Sequence, residues 1–206
     1  MARSMVYVVD DDRYVLASVE SLLASEGYEV ATFSSPDGFM AGKRPDVPAC
    51  LVLDVRLRGA SGLEFQRELH RARIAIPIIF LTGHGDVPMS VAAMKAGAIE
   101  FLTKPFRDQD LLDAVRHGIE LDRHRRSNEA QLVVLRQRYE AMTPREREIL
   151  PLVVSGQMNK QIAFSLSLSE VTVKVHRAQI MQKMQARSLI ELVRIADRLA
   201  ADAARI

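Results

Sequence analysis

Short runs of strand-forming residues alternate with longer amphipathic stretches through the first 120 or so residues. The runs are MVYVV (5–9), YEVATF (28–33), ACLVLD (49–54), IPIIFLT (76–82) and AIEFLT (98–103). Between them lie helical patterns such as YVLASVESLLASEG, ending at Gly27, a natural C-cap position. Strand and helix repeated five times predict an α/β domain, a parallel sheet covered by helices on both faces. The pattern then changes. Residues 122–142, DRHRRSNEAQLVVLRQRYEAM, contain no Gly or Pro and predict a helical linker that continues the fifth helix. Its apolar positions, Leu132, Leu135, Tyr139 and Met142, suit either a short dimer seam or packing against the chain's own domains. Next comes TPREREILPLVVSG, with Thr143 as N-cap, Pro144 at the first helical position, Glu146 completing a capping box and Gly156 closing the helix. A short helix at NKQIAFSL follows, then a turn, then a longer basic helix capped by Ser169 in SLSEVTVKVHRAQIMQKM. Two helices joined by a tight turn, the second basic, suggest a small all-α helix-turn-helix domain. The last helical stretch has apolar positions at Leu192, Ile195, Ala196 and Leu199, a dimer surface or a cap on its own domain.

Composition narrows the class. Of 206 residues, 48% are hydrophobic, with 10 Gly and 8 Pro, which argues against a disordered chain. No run approaches the 18 or more uncharged apolar residues of a membrane span, and MARSM leads directly into the first strand without an apolar signal core, so a cytoplasmic protein with no membrane partner is expected. The single cysteine, Cys50, lies within ACLVL and reads as a buried small hydrophobe, since no second thiol exists for a disulfide. Charge is uneven. Residues 1–121 carry 13 Lys+Arg against 17 Asp+Glu, and residues 122–206 carry 15 against 9. An acidic front half joined to a basic tail half suggests two domains, the second facing nucleic acid or an acidic partner.

The candidate chemistry lies where the strands end. In VYVVDDDR three carboxylates follow the first strand, although like charges about 4 Å apart repel by roughly 4 kcal/mol at an effective dielectric near 20. Parallel sheets bind ligands at the carboxyl ends of their strands. Asp10, Asp11 and Asp12 would share that rim with Asp54 after the third strand, Thr82 after the fourth and Lys104 after the fifth. Carboxylates, a hydroxyl and an ammonium converging there suit a Mg²⁺ and phosphoryl site, with Asp54 as a carboxylate nucleophile. The cation and Lys104 would make the acidic cluster tolerable.

VVDDD, LVLDVRL and FLTGHGDVPMSVAAMKAGAIEFLTKPF together resemble the receivers of two-component response regulators across nearly all of residues 5–120. The resemblance implies a flavodoxin-like, doubly wound, five-stranded parallel sheet as the receiver domain (1–121); the helical linker (122–142) then joins it to the helix-turn-helix domain (143–206). It further implies that Asp54 accepts a phosphoryl group from a sensor histidine kinase. Asp11, Asp54 and the backbone carbonyl of Arg56 would hold Mg²⁺ (or Mn²⁺), with Asp10 acting through water and Asp12 peripheral. Thr82 would hydrogen-bond the phosphoryl oxygens, Lys104 would offset their charge, and Phe101 would be the switch aromatic, although the ring taken alone reads as packing. Lys104-Pro105 matches a cis peptide of the family. His84 in GHGD is read as a structural or solvated loop histidine. One departure is Arg58, which stands where the family commonly has proline, so the neighbouring loop is expected to be more mobile or differently shaped, with the lifetime of the phosphorylated state in question.

TPREREIL, NKQIA and SEVTVKVHRAQIMQKM resemble the LuxR-type DNA-binding domain of the FixJ/NarL regulators, FixJ in particular, over residues 143 to about 200. At 100° per residue Val173, His176, Ile180 and Met184 share the core face of the helix, whereas Val171, Val175 and Ala178 face away. An outer apolar stripe suits base edges and thymine methyls. The resemblance implies base contacts from Lys174 and Val175 and phosphate contacts from Lys160, Thr172, Arg177 and Lys183. The expected partners are a sensor histidine kinase, double-stranded promoter DNA, RNA polymerase and, after phosphorylation, a second copy of the chain. Such a protein is not a turnover enzyme on an external substrate. A haloacid-dehalogenase type phosphohydrolase would need an acid where Arg56 stands, and a pseudo-receiver or RNA-binding regulator fits poorly with the full acid, threonine and lysine set and with TVKVH.

Overall fold

All five apolar runs become parallel strands, and their alternation sorts the side chains between two faces. The computed structural model describes residues 3–83 and 87–203; His84 lies outside the described residues. In the first unit the elements are β1 (Met5–Val9), α1 (Arg13–Ser25), β2 (Glu29–Phe33), α2 (Pro36–Ala41), β3 (Ala49–Asp54), β4 (Arg56–Leu57), β5 (Ala60–Ser61), α3 (Gly62–Arg71), β6 (Ile78–Thr82), α4 (Val87–Lys95), β7 (Glu100–Thr103) and α5 (Asp108–Glu140). The main sheet has the order β2-β1-β3-β6-β7, parallel throughout. The receiver fold expected from the resemblance is therefore present. The fourth strand starts at Ile78 rather than at Ile76, because Pro77 has no N–H for the ladder.

Odd-numbered residues of β1 and β3, among them Tyr7, Val9, Leu51 and Leu53, pack with Phe39 of α2, Phe65 and Leu69 of α3 and Ala93 of α4. Even-numbered residues Val6, Val8, Cys50 and Val52 pack with Val19 and Leu23 of α1 and with Leu111, Val115 and Ile119 of α5. Because helices cover both faces, the central strand β3 is buried along its whole length. Cys50 is fully buried, which pushes its thiol pKa well up. Helix α5 approaches closely there: a Cβ on Gly118 would lie 2.9 Å from Cys50 Cβ. A buried carboxylate ties α5 to the start of β3, since Asp122 accepts from the Ala49 amide at 2.9 Å and also pairs with Arg125 and Arg126.

The chain divides into two compact units, Met1–Arg126 and Ser127–Ile206, and α5 runs unbroken across the division. In the second unit α6 (Pro144–Val154), α7 (Asn159–Leu166), α8 (Glu170–Met184) and α9 (Leu189–Ala203) enclose a core of Met142, Ile149, Val153, Ile162, Val173, Ile180, Met184 and Leu192. The capping box is formed: Thr143 Oγ1 accepts from the Glu146 amide and Glu146 accepts from the Thr143 amide. Ser169 caps α8, and Ser167, at φ 53°, makes the left-handed turn after α7. Leu192, Ile195 and Leu199 turn inward, so α9 closes its own domain. Among the described residues no helix is long and apolar enough to cross a membrane.

Candidate phosphoacceptor site and nucleic-acid interface

Strand pairing sets the rim. Asp10 follows β1, Asp54 ends β3 opposite Leu81, and Thr82 is the next residue of β6. Asp10 is 3% exposed, Asp54 7% and Thr82 1%, so these polar groups are withdrawn from water. Lys104 enters from the end of β7, where its amide donates to the Thr82 carbonyl at 2.7 Å and its peptide to Pro105 is cis. Its Nζ donates to Asp10 Oδ2 at 2.6 Å and to Asp54 Oδ1 at 3.0 Å. One ammonium thus holds together two carboxylates that would otherwise repel.

The remaining oxygens are also engaged. The Arg56 amide donates to Asp54 Oδ2 at 2.8 Å and the Asp12 amide to Asp10 Oδ1 at 2.8 Å. Asp12 itself caps α1 by accepting from the Tyr14 amide, which accounts for the third carboxylate of the run. Burial raises the Asp54 pKa, and the hydrogen bond and charge of Lys104 pull it back. Burial opposes the charge of Lys104, yet Asp10 and Asp54 outweigh it and raise the pKa of the ammonium. Asp11 is half-buried and pairs with Arg58, whose Nε lies 2.9 Å from Asp11 Oδ2. Phe101 is half-buried, its ring centroid 6.3 Å from that of Phe80.

Two features were not legible in the sequence. The loop after Asp54 is an antiparallel hairpin of β4 and β5, turning at Arg58 and Gly59, the latter with φ +77°. A Cβ on Gly62 would lie 2.2 Å from the Asp54 carbonyl oxygen, so only glycine lets the chain pass so close to the candidate nucleophile. A Gly-Ala-Ser-Gly stretch signals a turn, but not which backbone it must touch.

The donor set suits a small hard cation. Among the described residues no three carboxylate, histidine or cysteine side chains form a closed metal cage. Mg²⁺ needs none, because it keeps several waters and uses one or two carboxylates with phosphate oxygens. Three acids against Lys104 and Arg58 leave negative charge at the rim for such an ion.

On the helix-turn-helix, Val171, Lys174, Val175 and Ala178 are exposed on α8, opposite the buried Val173, Ile180 and Met184. Lys160 is exposed on α7. Thr172 shares a 2.7 Å hydrogen bond with Ser169, and Arg177 donates to the Gln157 carbonyl at 3.1 Å. Lys183 is held within the domain, with Nζ 2.7 Å from Oε2 of the buried Glu146. That pair and the Thr143 amide hold the Glu146 carboxyl below its usual pKa against the cost of burial. His176 is half-buried with its Nδ1 facing inward.

A buried aspartate bridged by a strand-end lysine, in one chain with an exposed basic helix, defines a class, and comparison with known proteins agrees. Residues 6–116 match the response regulator receiver domain and residues 140–196 the bacterial regulatory proteins of the luxR family. The chain belongs to the two-component response regulators that carry a LuxR-type DNA-binding domain, a family of transcription regulators. It is similar to nodulation protein W of Bradyrhizobium diazoefficiens, 50% identical over 96% of this chain and 87% of that one. It is also similar to the response regulator TodT of Pseudomonas putida (46% identical; 95% and 86% covered) and to the transcriptional regulatory protein FixJ of Rhizobium meliloti (43%; 93% and 94%). Among solved structures, the response regulator StyR superposes with a TM-score of 0.83 at 49% identity, covering 96% of this chain and 100% of that one.

Proposed function

We propose that the chain is a phosphorylation switch on transcription, with a receiver at residues 1–121, a helical linker at 122–142 and a DNA-binding domain at 143–206. The observation that carries this reading is the Lys104 ammonium shared by the buried Asp10 and Asp54 carboxylates. Asp54 attacks the phosphorus of a phosphohistidine on a sensor kinase. An O–P bond forms, the P–N bond breaks, and the imidazole leaves with a proton. Asp11, Asp54 and the Arg56 carbonyl, with Asp10 through water, would hold Mg²⁺ or Mn²⁺, which supplies charge stabilisation for the transferring group. Lys104 offsets the developing phosphoryl charge and Thr82 donates a hydrogen bond to its oxygens. Loss of the phosphoryl group to water uses the same residues, so the protein takes part in its own chemistry without turning over an external substrate.

The added charge draws Thr82 and Phe101 inward, reshapes the α4–α5 face and promotes a homodimer. Two DNA-binding domains then engage two half-sites of promoter DNA, with Lys174 and Val175 at bases and Lys160, Thr172 and Arg177 at phosphates; Lys183 reaches a phosphate only by exchanging Glu146 for it, and RNA polymerase is the partner downstream. Moving such an equilibrium from 1:99 to 99:1 needs about 5.5 kcal/mol of preference for the active state, a demand that DNA-assisted dimerisation lowers. The test is intact mass after incubation with a small acyl phosphate and Mg²⁺, beside Asp54→Asn, followed by sedimentation and promoter binding. Labelling of the wild type alone, with dimerisation and tighter binding, is expected. A phosphorylated protein that stays monomeric and binds DNA no better overturns the switch.

A further inference from the structure

The β4-β5 hairpin brings a second cation to the acidic rim. Arg58 stands at its turn, and its Nε lies 2.9 Å from Asp11 Oδ2. Its side chain is 88% exposed while that of Asp11 is 24% exposed, so the guanidinium reaches in from solvent to a half-buried acid. The hairpin itself is fastened beside the site: the Gly62 amide donates to the Val55 carbonyl at 2.8 Å, and the Arg56 amide holds Asp54. Lys104 serves Asp10 and Asp54, and Arg58 serves the acid that Lys104 is not bonded to.

We propose that Arg58 is a built-in counter-ion of Asp11 that competes with the divalent cation of the phosphoacceptor site and so sets the chain's affinity for Mg²⁺. The inference rests on the cation reading given above and adds a residue to it. Mg²⁺ demands short, well-directed oxygen ligands. An Asp11 oxygen ion-paired with a guanidinium must be released, or the cation must accept a carboxylate whose charge is already partly neutralised. Either route weakens binding. Because Arg58 is largely exposed, its pairing is of the ordinary surface kind, worth a factor of roughly 1.5 to 5 in an equilibrium constant. That is enough to move a site from half-filled to mostly filled at a given Mg²⁺ concentration.

The test is calorimetric titration of the full-length, unphosphorylated chain with MgCl₂ at low ionic strength, comparing the wild type with Arg58→Ala, Arg58→Gln and Arg58→Lys. The Kd is expected to fall about two- to fivefold in the Ala and Gln variants and less in the Lys variant, which keeps the charge. The difference is expected to shrink at about 1 M NaCl, where the Debye length is near 3 Å. An unchanged Kd in Ala and Gln, with clear binding by the wild type, overturns the role of Arg58 and leaves the cation site standing. A weaker Kd in those variants overturns it too, since Arg58 would then be positioning Asp11 for the cation. No Mg²⁺ binding by any form overturns the cation reading itself, and the inference with it.

Discussion

Replacing Lys104 with Met keeps the length of the side chain and deletes the charge that bridges Asp10 and Asp54. The two bonds lost are 2.6 and 3.0 Å long. At 3.0 Å and an effective dielectric of 20 the gross attraction to Asp54 is about 5.5 kcal/mol. The net value is smaller, since the side chain is 22% exposed and charged hydrogen bonds contribute about 1.5–3 kcal/mol after exchange with water. In phosphoryl transfer the same ammonium would face the growing charge on the transferring group, where loss of one aligned donor costs about 10²- to 10³-fold in rate. Lys104→Met should therefore slow acyl-phosphate labelling by about that factor in an intact-mass time course, with circular dichroism confirming the fold. The pH profile should move as well. Lys104 lowers a carboxyl pKa that burial raises, so its removal lets Asp54 take up a proton at higher pH, and the rate should fall off sooner on acidification. Labelling at the wild-type rate with an unmoved acid limb would refute the electrostatic argument.

Three further outcomes follow from other contacts. Gly62→Ala puts a Cβ against the Asp54 carbonyl oxygen at 2.2 Å, so urea unfolding should show a loss of about 1–3 kcal/mol and labelling should slow; unchanged stability would show that the hairpin yields freely. Glu146 has a lowered pKa in the folded protein. The stability that it contributes is therefore present above its ordinary value of 4.5 and lost as pH falls through the lower folded value. Glu146→Gln, which can keep the cap on Thr143, should cost about 1–3 kcal/mol near neutral pH and flatten the acid dependence of thermal unfolding of the second unit; a melt as acid-sensitive as the wild type would remove the Glu146–Lys183 pair as its source. On DNA, Lys174→Ala should lose about 1–3 kcal/mol on the operator and much less on unrelated duplex, whereas Lys160→Ala should weaken both alike and reduce the salt slope by about 0.9; equal losses from both variants on both DNAs would remove Lys174 from the bases.

Much of the molecule is written in local pattern. Short β-rich runs set between stretches of period-3.6 spacing mark all five sheet strands, and their carboxyl ends point to Asp10, Asp54 and Lys104, because a parallel sheet places every strand end on one rim. Thr143, Pro144 and Glu146 announced the start of α6, since a capping box is satisfied within four residues. The 100° rule sorted Val173, Ile180 and Met184 inward and Val175 outward. Other features depend on groups that meet only after folding. The run of three aspartates does not say that Asp12 caps α1, that Asp10 is bonded to Lys104, or that Asp11 is paired with Arg58. Lys183 looked like any other basic residue of an outward helix until α6 was packed against α8 and brought Glu146 within 2.7 Å. Gly62 was one small residue in a turn until β3 was beside it. The sequence by itself thus determined the five sheet strands and the helices of the second unit, their order and the edge of the sheet that carries chemistry, because these follow from backbone geometry and the separation of apolar from polar positions. Only the tertiary structure decided which acid is neutralised by which cation and where the backbone must pass without a side chain, because those are distances between residues far apart in the chain, and both charge interaction and steric overlap change sharply over a few ångströms.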